Sequence, residues 1–143
     1  MSRRELELRQ QDVLDALLRG QVPAGFDPRS AALTSSVLRS KRRNDALSAV
    51  PDLERVADLR ERFDAWASRH PRRGCPHDDV LDFLLDDAGP VPEPLASVRA
   101  VERVYRRQAS IGRDRRPGHR RYVVAVGGRV WHLGPRQGLP FPS

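Results

Sequence analysis

The residues with the greatest capacity for chemistry gather in one short stretch, Cys75-Pro76-His77, with His70 upstream and Asp78-Asp79 directly downstream. Thiolate, imidazole and carboxylate are all metal ligands, and a thiol near an imidazole is also a nucleophile with its base. The spacing suits neither role. A structural zinc site uses paired Cys and His arrays such as CxxC, whereas this chain has a single cysteine. Closeness in sequence does not supply the tertiary placement that a Cys/His catalytic pair needs. The stretch reads instead as a loop over residues 70–77 leading into a helix capped by Asp78, with Asp78 and Asp79 solvated and favourable to the helix dipole. Asp86-Asp87 reads the same way, because adjacent residues do not share a helical face. No serine lies in a GxSxG elbow. Gly127-Gly128 is a turn pair, and neither GxxxxGK[ST] nor GxGxxG occurs before a helix. The expectation is a non-enzyme with no cofactor and no metal site.

The placement of positive charge is more informative. The chain has 143 residues and a net charge of +7, and 25 of its 26 basic residues are arginine, Lys41 being the only lysine. Arginine suits bidentate recognition of phosphate or carboxylate, although GC-rich coding also produces Arg-rich, Lys-poor chains. Within residues 99–121 nine arginines are set against only Glu102 and Asp114. Arg113, Arg115, Arg116, Arg120 and Arg121, grouped around a loop, are expected to form an anion-binding rim. Arg129 and Trp131 join them on a following strand, where an exposed aromatic beside arginine can stack on a base or anchor a peptide. Such a surface suits an acidic protein segment or, alternatively, nucleic acid.

The elements that must position these groups are mainly helical. Leu6, Leu14, Leu17 and Leu18, with Val13, form one stripe of a helix over residues 3–19 that stops at Gly20. Asp27-Pro28 offers an N-cap and a first-turn proline for a second helix, running through Leu33, Val37, Leu38, Ala46 and Leu47 to Val50, with residues 39–43 as a basic exposed turn. Pro51 opens a short segment carrying Leu53 and Val56. Asp58 and Glu61 have capping-box spacing for a helix whose buried face is Phe63, Trp66 and Ala67, ended by Pro71. A further helix carries Val80, Leu81, Phe83, Leu84 and Leu85. Residues 89–94, with three prolines, interrupt regular structure. Leu95, Val98, Val101, Val104 and Tyr105 then define an amphipathic helix. Residues 111–119 read as a loop, and residues 122–133 as a β-hairpin around Gly127-Gly128. Alternation puts Tyr122, Val124 and Val126 on one face and Val123 and Ala125 on the other, leaving open which is buried. Residues 134–143 read as irregular. The expected fold is a helical domain of four to five helices over residues 1–88, followed by a linker, the basic helix, the hairpin and a tail over residues 89–143.

The order of features over residues 38–85 resembles a known family. Arg39, Arg42 and Arg43 precede Ala46-Leu47, then Val50-Pro51, the Leu53/Val56 segment, Arg62-Phe63-Asp64-Ala65, His70-Pro71 and Asp82-Phe83-Leu84. This is similar to a family named for DNA binding whose members include partner, or accessory, proteins of multinuclear non-haem iron oxidative enzymes acting on ribosomally made peptides. The connector Val22-Pro23-Ala24-Gly25-Phe26-Asp27 resembles compact actinobacterial relatives of that group. The resemblance implies a helical domain that docks on the iron enzyme and a C-terminal part that helps present the precursor peptide, with no catalytic residue in this chain. No run approaches the roughly 18 apolar residues of a membrane span, and no signal-peptide apolar block follows Met1, so a cytoplasmic location is expected.

Overall fold

The computed structural model describes residues 1–72, 74–117 and 120–134. Five helices precede a three-stranded antiparallel sheet: α1 (Arg3–Leu18), α2 (Pro28–Ala49), a 3-10 turn (Pro51–Arg55), α3 (Leu59–Ala67), α4 (Pro76–Asp86), α5 (Leu95–Tyr105), β1 (Ile111–Asp114), β2 (Arg121–Val126) and β3 (Arg129–Leu133). The chain divides into two compact units, Met1–Glu54 with Asp58–Phe83, and Arg55–Ala57 with Leu84–Ser143.

The helix boundaries of the first unit have local causes. Ser2 and Glu5 exchange hydrogen bonds in a full capping box at the start of α1, and Gly20, at φ 75°, takes the left-handed conformation just past its end. The Asp27 carboxylate accepts from the Ser30 amide at 2.8 Å, and Pro28 occupies the first turn of α2. Asp58 departs from expectation. It sits at φ 52° and makes no side-chain cap to α3, so the Asp58/Glu61 pair is not a capping box. Helix α4 starts at Pro76, earlier than expected, so Asp78 lies inside its first turn and is not the residue before it; its carboxylate reaches back to accept from Cys75 N at 3.1 Å.

The aromatic core of this unit is as the apolar spacing predicts. Phe63, Trp66 and Phe83 are buried, with ring centroids 5.3–5.9 Å apart in tilted and edge-on arrangements. His70 stacks on Trp66 at 4.9 Å, and its Nδ1 lies 2.8 Å from the Trp66 carbonyl oxygen. Helix α2 is different. Its buried stripe is Ala31, Ser35, Arg42 and Ala46, while Leu33 and Val37 face solvent. The turn expected to be basic and exposed therefore turns one arginine inward. Arg42 is 4% exposed, and its Nε and Nη2 donate to the two carboxylate oxygens of Asp79 at 2.8 and 2.9 Å. Its Nη1 donates to the carbonyls of Ala67 at 3.1 Å and His70 at 2.7 Å, and the guanidinium lies 5.3 Å from the Trp66 ring centroid. Asp79 is thus buried and paired, not solvated, because a desolvated guanidinium requires a counter-charge.

In the second unit Glu93, two residues before α5, accepts through its carboxylate from the Ser97 amide at 3.3 Å, and Arg99 Nη1 donates to the carbonyls of Asp87 and Gly89 in the preceding linker. The hairpin forms as predicted. Gly127 at φ 55° and Gly128 at φ 82° give the doubly positive turn that matches strand twist. Residues 111–114 are not loop. They form β1, paired antiparallel to β2 with Ile111 opposite Val124 and Asp114 opposite Arg121. The sheet packs on α5, where β1 approaches so closely that a Cβ on Gly112 would lie 2.5 Å from the Ala100 carbonyl oxygen. Val123, Gly112 and Asp114 are buried on the inner side, where Gly112 lies against Ala100 and the buried Val104 of α5. Residues 118–119 of the expected loop and 135–143 of the expected tail lie outside the described residues.

Candidate functional site

The register of the three strands decides which side chains share a face. Directly opposed residues project to the same side of a sheet, and the side alternates along each strand. Because Val123 is buried, Tyr122, Val124 and Val126 point outward together with their partners Leu133, Trp131 and Arg129 on β3 and Arg113 and Ile111 on β1. Five of these outward side chains are large, apolar or aromatic and well exposed: Ile111, Tyr122, Val126, Trp131 and Leu133. Arg113 lies against the Tyr122 ring at 5.6 Å, a cross-strand cation–π pair that holds the guanidinium at the edge of the apolar patch. Arg129 marks the opposite end.

Next to this face is a cleft of about 440 Å³ lined by Arg113, Asp114, Arg115, Arg120, Arg121 and Tyr122. Its organiser is Asp114, which is 1% exposed and stands at the end of β1. Asp114 accepts from Arg116 Nε at 2.9 Å and Nη2 at 2.8 Å in a two-point pair, and also from the Arg116 amide at 3.2 Å. That hydrogen bonding holds the Arg116 guanidinium above its ordinary pKa, against the opposing effect of partial burial. Arg121 Nε is buried and lies 3.7 Å from Asp114 Oδ2, beyond hydrogen-bonding distance. The Arg115 amide donates to Ser97 Oγ at 2.8 Å, tying the end of β1 to α5.

Of the seven residues singled out from sequence, the structure gathers Arg113, Arg115, Arg120 and Arg121 around the cleft and places Arg129 and Trp131 on the outer sheet face. Arg116 is engaged by Asp114, which makes it a structural partner within the loop. Sequence reasoning missed Ile111, Tyr122 and Leu133 as surface contributors. The alternation of residues 122–126 was visible, but its phase relative to the core required β1 and α5. Elsewhere, Cys75 is exposed, and among the described residues no three His, Cys, Asp or Glu side chains come together as a metal-ligand set. Among the same residues no helix is long and apolar enough to cross a membrane.

Comparison with known proteins gives one family. Nothing among curated proteins or solved structures matches the chain. Residues 7–89, which take in most of α1, all of α2 to α4 and more than half of the sequence, match the family described as SCO6045-like, C-terminal domain, and the chain belongs to that family.

Proposed function

We propose that the protein is a non-catalytic accessory protein of the cytoplasm. Its helical unit docks on an iron-dependent, peptide-modifying enzyme, and its C-terminal sheet takes an acidic, partly apolar segment of a partner, helping to present the enzyme's precursor peptide. The resemblance of residues 38–85 supports the enzyme partner. The observation that carries the binding role is the outer sheet face, where Ile111, Tyr122, Trp131 and Leu133 are exposed together between Arg113 and Arg129.

The chemistry of that face favours a protein segment. Trp, Tyr and Arg are the residues in which binding energy concentrates at protein interfaces, and an apolar centre with a charged rim is the usual anatomy of such a site. The rim is of one sign. A second copy of the same face would set arginine against arginine, so the partner must carry acidic side chains near its apolar ones. The outer edge of β3 has no strand partner among the described residues, so a peptide can also add there through backbone hydrogen bonds. The guanidinium cleft alone would serve phosphates equally well, which makes nucleic acid the competing partner.

Titrating a labelled acidic peptide with alternating apolar residues, and labelled duplex DNA, at low and physiological salt separates the two. Peptide binding should persist at physiological salt, whereas DNA binding should fall steeply. Trp131→Ala should weaken peptide binding by about 2 kcal/mol, roughly thirtyfold in Kd. Tight DNA binding with no peptide binding in either buffer would replace this reading with the nucleic-acid one. The enzyme partner is tested by co-expression with an iron-dependent oxidase encoded beside the chain, and failure to co-purify would remove that half of the proposal.

A further inference from the structure

A second surface lies wholly within the helical unit. Helices α1 and α2 border an apolar groove of about 460 Å³ lined on one wall by Leu6, Gln10, Val13 and Leu17 and on the other by Phe26 and Leu38. Leu6 and Phe26 are more than two-fifths exposed and Leu14, on the same helix, is 38% exposed, so the α1 stripe is only partly used by its contact with α2. Residues 6, 10, 13 and 17 follow the four-three-four spacing of a helix–helix seam, with one polar residue, Gln10, near its middle.

We propose that the occupant is a second copy of the chain, with the two α1 helices antiparallel about a two-fold axis at Gln10, each lying in the other's groove. Three observations point to a self-complementary contact. First, reflecting α1 about position 10 puts Leu6 of one copy level with Leu14 of the other, so the most exposed part of the stripe covers itself. Second, the two halves of α1 differ in charge. Arg3, Arg4 and Arg9 outnumber Glu5 and Glu7 in the first half, while in the second Asp12 and Asp15 outnumber Arg19, which sits just past the helix end and 3.9 Å from Asp15. Antiparallel copies bring opposite signs together, and parallel copies would bring like signs together. Third, the Gln10 amide makes no hydrogen bond among the described residues, and an amide is both donor and acceptor, so it can pair with its own copy across a two-fold. A charged residue at that place would repel its copy. An isologous contact of this kind closes as a dimer and does not propagate.

The test uses the full chain. Sedimentation equilibrium across micromolar concentrations should show a reversible monomer–dimer equilibrium, and Leu6→Glu/Leu14→Glu should shift it to monomer with the circular dichroism of the helices unchanged. In a Cys75→Ser background, Gln10→Cys should give a disulfide-linked dimer on mild oxidation. Arg4→Cys should not, because its copy would lie about 18 Å away along the helix axes, at 1.5 Å per residue. A protein that stays monomeric throughout, a dimer indifferent to the two glutamates, or equal cross-linking at positions 4 and 10 would each overturn the proposal. Peptide binding at the sheet is read separately and does not depend on this result.

Discussion

Removing the Asp79 charge should be the most damaging single conservative change in the helical unit. The partner left behind is Arg42, whose side chain is 4% exposed and whose Nε and Nη2 both donate to Asp79. In Asp79→Asn the volume is kept and one acceptor oxygen survives, but the counter-charge is gone and an amide NH2 faces a guanidinium. The two carbonyls that accept from Arg42 Nη1, on Ala67 and His70, offset only part of the loss, since they are dipoles and not charges. Breaking a buried pair by removing one partner costs about 3–5 kcal/mol, a large share of the roughly 5–15 kcal/mol by which domains are stable. Urea unfolding followed by Trp66 fluorescence measures it, with Trp131→Phe in the background so that the exposed indole of the second unit is silent. Replacing both partners, as Arg42→Met/Asp79→Leu, should cost less than Asp79→Asn alone, because no charge is then left desolvated. A loss under about 1 kcal/mol for Asp79→Asn, or a double variant worse than the single one, would show that the penalty is not the buried guanidinium.

Phe63→Ala and Trp66→Ala should each destabilise the protein by about 3–5 kcal/mol through deleted core volume; a variant that melts like the parent would place its ring outside the core. Gly112→Ala should cost about 1–3 kcal/mol in thermal unfolding, since its Cβ would meet the Ala100 carbonyl and neither backbone can give way cheaply, whereas Ile111→Ala on the outer face should be nearly neutral. The Asp27 carboxylate is held below its ordinary pKa, first by the backbone amide of Ser30 and then by the Ser30 side chain. Its contribution is therefore present above the unfolded pKa and lost as pH falls through the lower folded value. The Tm gap between the parent and Asp27→Ala should accordingly narrow between about pH 5 and about pH 2, and a gap that stays constant would separate the cap from its charge.

Much of the architecture was legible because its signals are local. The Ser2 and Asp27 boundaries depend on side chains three residues from the backbone groups they satisfy, and the Gly20 stop and the Gly127-Gly128 turn depend on residues that accept positive φ. Phe63, Trp66 and Phe83 announce a core by size and spacing alone. The arginine-rich C-terminal stretch likewise stood out by charge, and four of its nine arginines do line one cleft.

What sequence left undecided depends on partners distant along the chain. Arg42 and Asp79 are 37 residues apart, and each looks solvated until the other is seen to neutralise it. Strand β1 contains one strongly strand-favouring residue, Ile111, and becomes a strand because β2 supplies its hydrogen bonds and Gly112 lets it lie against α5. The same packing sets the phase of the hairpin: with Val123 turned toward α5, the period-two alternation sends Tyr122 outward and, through the register, Trp131 and Leu133 with it. Sequence by itself determined the helices, the hairpin, several of their ends and the sign of the charge; tertiary structure decided that β1 is a strand, which arginine is buried and which sheet face is offered to a partner, because burial is a property of pairs of surfaces and a single strand has two equivalent sides until one is covered.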